Sequence, residues 1–186
     1  MTNQSSSSSS PSNLLKKEKK GHDQNKDESL QITFINRGGQ KRSILNADGI
    51  LTTLQEAFPQ HQVVLQYFED SSFEEQIELY SQSDVVIAPH GAQLTGIMFM
   101  PPCGAVLELF PHLYHTPYFF SSLANISGLV HASWYVSIDS EVPLPNSLDI
   151  HTRLNSTMNN ICPTLNRVVS NVNEMIQRHQ KCRMNK

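Results

Sequence analysis

At 186 residues the chain can hold one domain with a full hydrophobic core, but hardly two. Lys and Arg number 14 against 17 Asp and Glu, a net charge of −3, and the basic residues do not interleave with aromatics, which argues against a nucleic-acid surface. The three cysteines, Cys103, Cys162 and Cys182, show no CxxC spacing, so neither a zinc clip nor a disulfide-stapled framework is expected, while one disulfide stays open.

In chain order, residues 1–29 read as a disordered polar tail. Ser5 to Ser10, the Lys16, Lys17, Lys19, Lys20 cluster and Asp27-Glu28-Ser29 offer almost nothing to bury. Neither the apolar core of a secretory signal nor a run of ~20 apolar residues occurs, so no signal, anchor or transmembrane segment is expected in this chain. Triplets at Asn3, Asn125 and Asn155 fit the N-glycosylation pattern, which chance produces often.

Residues 30–180 carry the pattern of a single α/β domain. Leu30 to Ile35 reads as a first strand, and Asp48 as the cap of a helix bearing Ile50, Leu51, Leu54 and Phe58 before Pro59. Val63 to Leu65 centres a second strand. Ser72 and Glu75 have capping-box spacing ahead of Phe73, Ile77 and Tyr80 on one helical face. Asp84 to Ala88 gives a third strand, followed by a short helix burying Leu94, Ile97 and Met98. Ala105 to Leu109 is a fourth strand. Thr116 and Pro117 suit the start of a helix through Ala124, Leu129 to Val136 a fifth strand, and Asp139 to Asn160 a long loop. After Pro163, a last helix shows an apolar stripe of Leu165, Val168, Val169, Val172, Met175 and Ile176. Strands separated by single helices imply a Rossmann-like, mostly parallel sheet with helices on both faces.

Ligands of such sheets sit beyond the carboxyl ends of the strands. There the third strand delivers Pro89-His90-Gly91-Ala92-Gln93-Leu94-Thr95. Gly91 and Ala92 permit a tight turn, and the following helix start presents unpaired N–H groups suited to phosphate. His90 can donate to a phosphate oxygen or exchange a proton near neutral pH, and is as ready to satisfy local backbone. Glu108 interrupts an apolar strand, so it either accepts from a ribose diol or pairs with a basic neighbour. Arg37 leaves the first strand beside Gly38 and Gly39, with Lys41 and Arg42 following. A guanidinium fork there suits a diphosphate, and Arg37 is the stronger candidate. A dinucleotide oxidoreductase lacks support, since no GxGxxG turn follows the first strand.

The segments FINRGGQKRSILN at 34–46 and FEEQIELYSQSDVVIAPHGAQLTGIMFMPPCGAVLELFP at 73–111 resemble the catalytic region of the family 61 glycosyltransferases. The resemblance implies the C-terminal half of an inverting GT-B enzyme, which moves a sugar from a nucleotide diphosphate, with UDP favoured, to a glycan or glycoprotein hydroxyl. It implies no metal and no cofactor. It implies donor contacts from Arg37, Arg42, Gly91, Ala92, Gln93, Leu94, Thr95 and Glu108, with His90 as the catalytic candidate. Gln93 stands where many members carry glycine, and Cys103 interrupts their Pro-Pro-Gly run. Members reside in the Golgi or endoplasmic reticulum lumen, whereas the lack of a leader points to the cytoplasm if the chain is complete. The half of the cleft not evident here implies a further domain or partner subunit, or else an inactive nucleotide-sugar-binding module.

Overall fold

Five short strands form one sheet in the order β2-β1-β3-β4-β5, every neighbouring pair parallel. They are β1 (Gln31–Asn36), β2 (Gln62–Tyr67), β3 (Val85–Pro89), β4 (Ala105–Pro111) and β5 (Val130–Val136). The computed structural model describes residues 29–39, 41–114, 116, 118–136 and 150–186. The expectations for the tail over 1–28, with its lysine cluster and Asn3, for Pro117, and for the loop over 139–149 lie outside the described residues.

Every residue of β3 and β4 is buried, as expected for central parallel strands covered on both faces. On one face, Ile32, Phe34, Ile87 and Leu107 pack against α1 (Ala47–Ala57) and the long helix α5 (Leu165–Met184). On the other, Ile35, Val86 and Val106 pack against α2 (Phe73–Gln82), a 3-10 helix over Ala92–Phe99, and α3 (Phe119–Ile126). The Rossmann-like reading of the pattern therefore holds.

Several boundaries differ from the sequence expectations for physical reasons. Asn46, not Asp48, precedes α1, and its side chain donates to the Pro163 carbonyl instead of capping. Asp48 sits in the first turn, where a negative charge favours the helix N-terminus. The Ser72–Glu75 capping box forms with both its hydrogen bonds. The helix after β3 is wound as a 3-10 helix, whose three residues per turn put Leu94 and Ile97 on one line into the core. That winding turns Met98 outward, to 47% exposure. α3 starts at Phe119, not Thr116, because Tyr118 takes a left-handed φ of 66°. The predicted loop contains α4 (Ile150–Ser156), whose Ile150 and Leu154 are exposed and so leave no apolar stripe to read.

Cys103 and Cys182 form a disulfide, tying the turn before β4 to the end of α5. The disulfide left open by the sequence is therefore formed, and Cys103, which interrupts the Pro-Pro-Gly run, is one end of it.

Gly96 lets the 3-10 helix lie flush on α2. A methyl group there would sit 2.2 Å from Cε2 of the buried Tyr80 ring. That ring is also held through its hydroxyl, which donates to the Gln93 carbonyl at 2.5 Å. Gly96→Ala is expected to cost about 3 kcal/mol through overpacking, read as a lower midpoint in chemical denaturation. A midpoint equal to the parent's would contradict this packing.

Candidate functional site

The strand order reverses between β1 and β3, which opens a crevice at their carboxyl ends. Arg37 follows β1, and His90 and Gly91 follow β3. Asn36 fixes the loop between them. Its buried amide accepts from Ile44 N at 2.8 Å and donates to Ile44 O at 3.0 Å, closing the base of the segment that carries both arginines. Ser43 Oγ adds a hydrogen bond to the Arg37 carbonyl. Arg42 takes a left-handed φ of 56°, a conformation that costs a residue with a Cβ about 1–2 kcal/mol. This strain places its Nη1 2.9 Å from the His90 carbonyl and its guanidinium 5.8 Å from the Tyr114 ring centroid.

Among the described residues, Nη1 of Arg37 and Nε of Arg42 are buried donors without acceptors. Burial, and next the charge of Arg37, hold the Arg42 guanidinium below its ordinary pKa. Among the described residues no carboxylate lies within ion-pair distance of either arginine. Gly91 is needed for this approach. A Cβ there would lie 2.9 Å from Arg37 Nη1, while its own φ of 167° is ordinary extended backbone. Two adjacent cations with orphaned donors at a 3-10 helix start have the chemistry to hold an anion.

Beside it lies a buried carboxylate between two imidazoles. Glu108, 2% exposed, receives His90 Nδ1 on Oε1 at 2.5 Å and His131 Nε2 on Oε2 at 2.9 Å. Burial alone pushes the Glu108 carboxyl up, but the hydrogen bonds and charges of His131 and His90 outweigh it and hold the pKa below the ordinary value. A carboxylate can only accept, so with Glu108 in that form each facing imidazole nitrogen would be the donor and the Nε2 of His90 would be left for a ligand. The His90 ring stacks on Phe110 at 4.7 Å, with Tyr114, Phe119 and Phe120 edge-on around it.

Of the predicted site residues, Arg37, Arg42, His90, Gly91 and Glu108 come together. Glu108 makes the pairing that competed with a ribose contact, with histidines as its partners. Ala92, Gln93 and Thr95 instead line a groove of about 230 Å³ against α2, with Phe73, Gln76 and Phe99. Gln93 folds its amide back toward the Pro89 carbonyl. Leu94 is a correction. Its side chain is fully buried and its N–H is bonded to the Gly91 carbonyl, so it offers a ligand neither.

The family model described as Glycosyltransferase 61 matches residues 2–107, more than half of the chain. The chain belongs to that family. It is 29% identical over 107 residues to an EGF domain-specific O-linked N-acetylglucosamine transferase of Drosophila melanogaster, covering 58% of this chain and 20% of the relative. It is 36% identical over 94 residues to the bovine (Bos taurus) protein O-linked-mannose beta-1,4-N-acetylglucosaminyltransferase 2, covering 48% of this chain and 16% of the relative. The chain thus spans a fifth or less of the length of these relatives. Among solved structures, the flavodiiron core Flv1 of Synechocystis sp. PCC6803 matches 86% of this chain and 38% of its own, at 14% identity and a TM-score of 0.45.

In this glycosyltransferase 61 chain, sequence reading missed three features of the site. Asn36 carries no motif, and its role shows only once Ile44 folds back onto it. His131 lies in an ordinary strand. Its approach to Glu108 depends on the β4–β5 register, in which Glu108 pairs with Ser133 and His131 lies two residues earlier on the same face. The aromatic ring around His90 was open to view as Phe110, Tyr114, Phe119 and Phe120 closely following the fourth strand.

Proposed function

We propose that this chain forms the donor-binding side of an inverting glycosyltransferase that transfers a sugar from a nucleotide diphosphate, with UDP as its first candidate, to a glycoprotein hydroxyl. The observation carrying the reading is the convergence of Arg37 and Arg42, with unpaired buried donors, on the His90–Gly91 turn. Two guanidiniums and the N–H groups of Ala92 and Gln93 suit a diphosphate, and stabilise it most as it departs with full charge. In the displacement, the acceptor oxygen bonds to the anomeric carbon while the bond from that carbon to the phosphate oxygen breaks. The electron pair leaves with the nucleotide diphosphate, and His90 Nε2 takes the hydroxyl proton. Glu108 acts through His90 by fixing its tautomer, much as a triad carboxylate does. Thr95, together with Ala92 and Gln93, faces the groove beside α2, where the sugar or acceptor would extend.

The relatives' names support the choice of reaction and acceptor class. We assign the opposite wall of the cleft, in a GT-B arrangement, to a second lobe or partner subunit. The Cys103–Cys182 bridge favours an oxidising compartment such as the endoplasmic reticulum or Golgi lumen. Titration calorimetry with UDP and UDP-sugars, followed by mass analysis of acceptor products, tests the reading. Saturable binding is expected, and its absence at millimolar ligand would sink the proposal. Binding without transfer would reduce it to a nucleotide-sugar-binding module.

A further inference from the structure

His131 is the neighbour on which the state of the His90–Glu108 pair depends. The carboxylate of Glu108 is sealed, and its two oxygens meet two different elements: the turn after β3 through His90, and β5 through His131. A buried glutamate with one imidazole partner has two options. As a carboxylate it accepts a proton bond from His90 Nδ1–H, leaving Nε2 bare. As a carboxylic acid, with one further proton taken up from solvent, it donates to Nδ1, so the ring's own proton sits on Nε2 and the base is removed. The second oxygen decides between them. An N–H donor there favours the carboxylate, whereas an empty site would leave a charged oxygen unpaired, at a cost that favours the acid.

We infer that His131, by donating Nε2–H to Glu108 Oε2, is the positioning residue that sets the tautomer of His90. This rests on the reading of His90 as the base. Against the larger effect of burial, which raises the Glu108 pKa, the hydrogen bond from His131 is the first of the influences that lower it, followed by the hydrogen bond from His90, which agrees with the geometry. The anchoring strand is well placed for the task. β5 pairs with β4 along its whole length, so the distance from His131 to Glu108 is fixed by backbone register rather than by a loop.

Ring-nitrogen NMR on the full chain reads the tautomers directly, with no need of activity. In the parent, His90 is expected with Nδ1–H and a bare Nε2, and His131 with Nε2–H. In His131→Leu, the proton of His90 is expected on Nε2, and in His131→Gln, which keeps an N–H donor, back on Nδ1. An unchanged His90 tautomer in His131→Leu would overturn the inference. Should that variant not fold, a bare Nε2 on His131 in the parent would overturn it equally. Once transfer is measured, His131→Leu should lower kcat about 100-fold with little change in donor KM, the scale of a lost general base. Absence of any donor binding would remove the catalytic reading while leaving the tautomer result standing, so the two failures are distinguishable.

Discussion

Arg37→Ala is expected to weaken UDP binding about 100-fold, close to 3 kcal/mol, without loss of stability. The guanidinium sits against Gly91 with a buried Nη1 that no group among the described residues accepts, and its charge disfavours that of Arg42 nearby. In the ligand-free chain the side chain is therefore a burden. Its removal should leave the melting temperature unchanged or raise it, since an orphaned donor and a like-charge contact both disappear. Arg37→Lys should retain part of the affinity, because it keeps the charge but loses the two-pronged geometry that fits a diphosphate. Calorimetry for affinity and thermal unfolding for stability check the pair of outcomes. Unaltered affinity, or an affinity loss that merely follows unfolding, would assign Arg37 a structural role. Arg42→Ala is the less clean probe. Its Nη1 holds the His90 carbonyl, and its left-handed backbone would relax, so binding and local structure would change together.

Much of the fold was legible because each strand is a short apolar run bounded by turn residues, and each covering helix has a one-sided apolar stripe. The stripe of α5 was read almost residue for residue, with Val168, Val172, Met175 and Ile176 all buried. The capping box at Ser72 was legible for another reason: its chemistry is local, requiring only residues three apart. What failed was whatever depends on a distant neighbour. Asp48 was read as a cap because its residue type fits, yet Asn46 starts the helix while bonding to Pro163, 117 residues away. Leu94 was read both as a buried helix residue and, through the resemblance, as a donor contact, and the fold keeps only the first of these. In the site, Arg37, Gly91 and Glu108 stood out as residues whose chemistry is wrong for their local setting: a cation leaving an apolar strand, a glycine at a helix start, and a carboxylate in a buried run. Asn36 and His131 are ordinary in local setting and become functional candidates only through the loop and the register that bring them to their partners.

The Cys103–Cys182 bridge should carry the largest stability contribution of any single side-chain pair in the domain. It spans 79 residues, and restricting a loop of that length in the unfolded chain corresponds to about 4.5 kcal/mol in the chain-entropy picture. Domains of this kind hold only about 5–15 kcal/mol in total, so the bridge is a large fraction of what keeps this one folded. The native side adds to it. α5 ends beside the bridge, where the buried His179 hydrogen-bonds the Cys103 carbonyl at 2.9 Å. Loss of the bridge would let that last turn open and expose His179. Cys182→Ser is the appropriate substitution, because Cys182 lies near the surface while Cys103 is fully buried and would leave a sealed polar hydroxyl. The variant is expected to melt roughly 9–18 °C below the oxidised parent, using about 2–4 °C per kcal/mol for a chain of this size. Dithiothreitol should lower the parent to the same temperature and leave the variant unmoved. Cys162 is exposed and unpaired, so it gives the reductant nothing further to break. The bridge joins β4 at its amino end, whereas Arg37 and His90 follow the carboxyl ends of β1 and β3, so UDP affinity at 25 °C should survive where the variant remains folded. Equal melting temperatures with and without reductant would mean that the two sulfurs are not bonded in the protein, and the case for an oxidising compartment would fall with them.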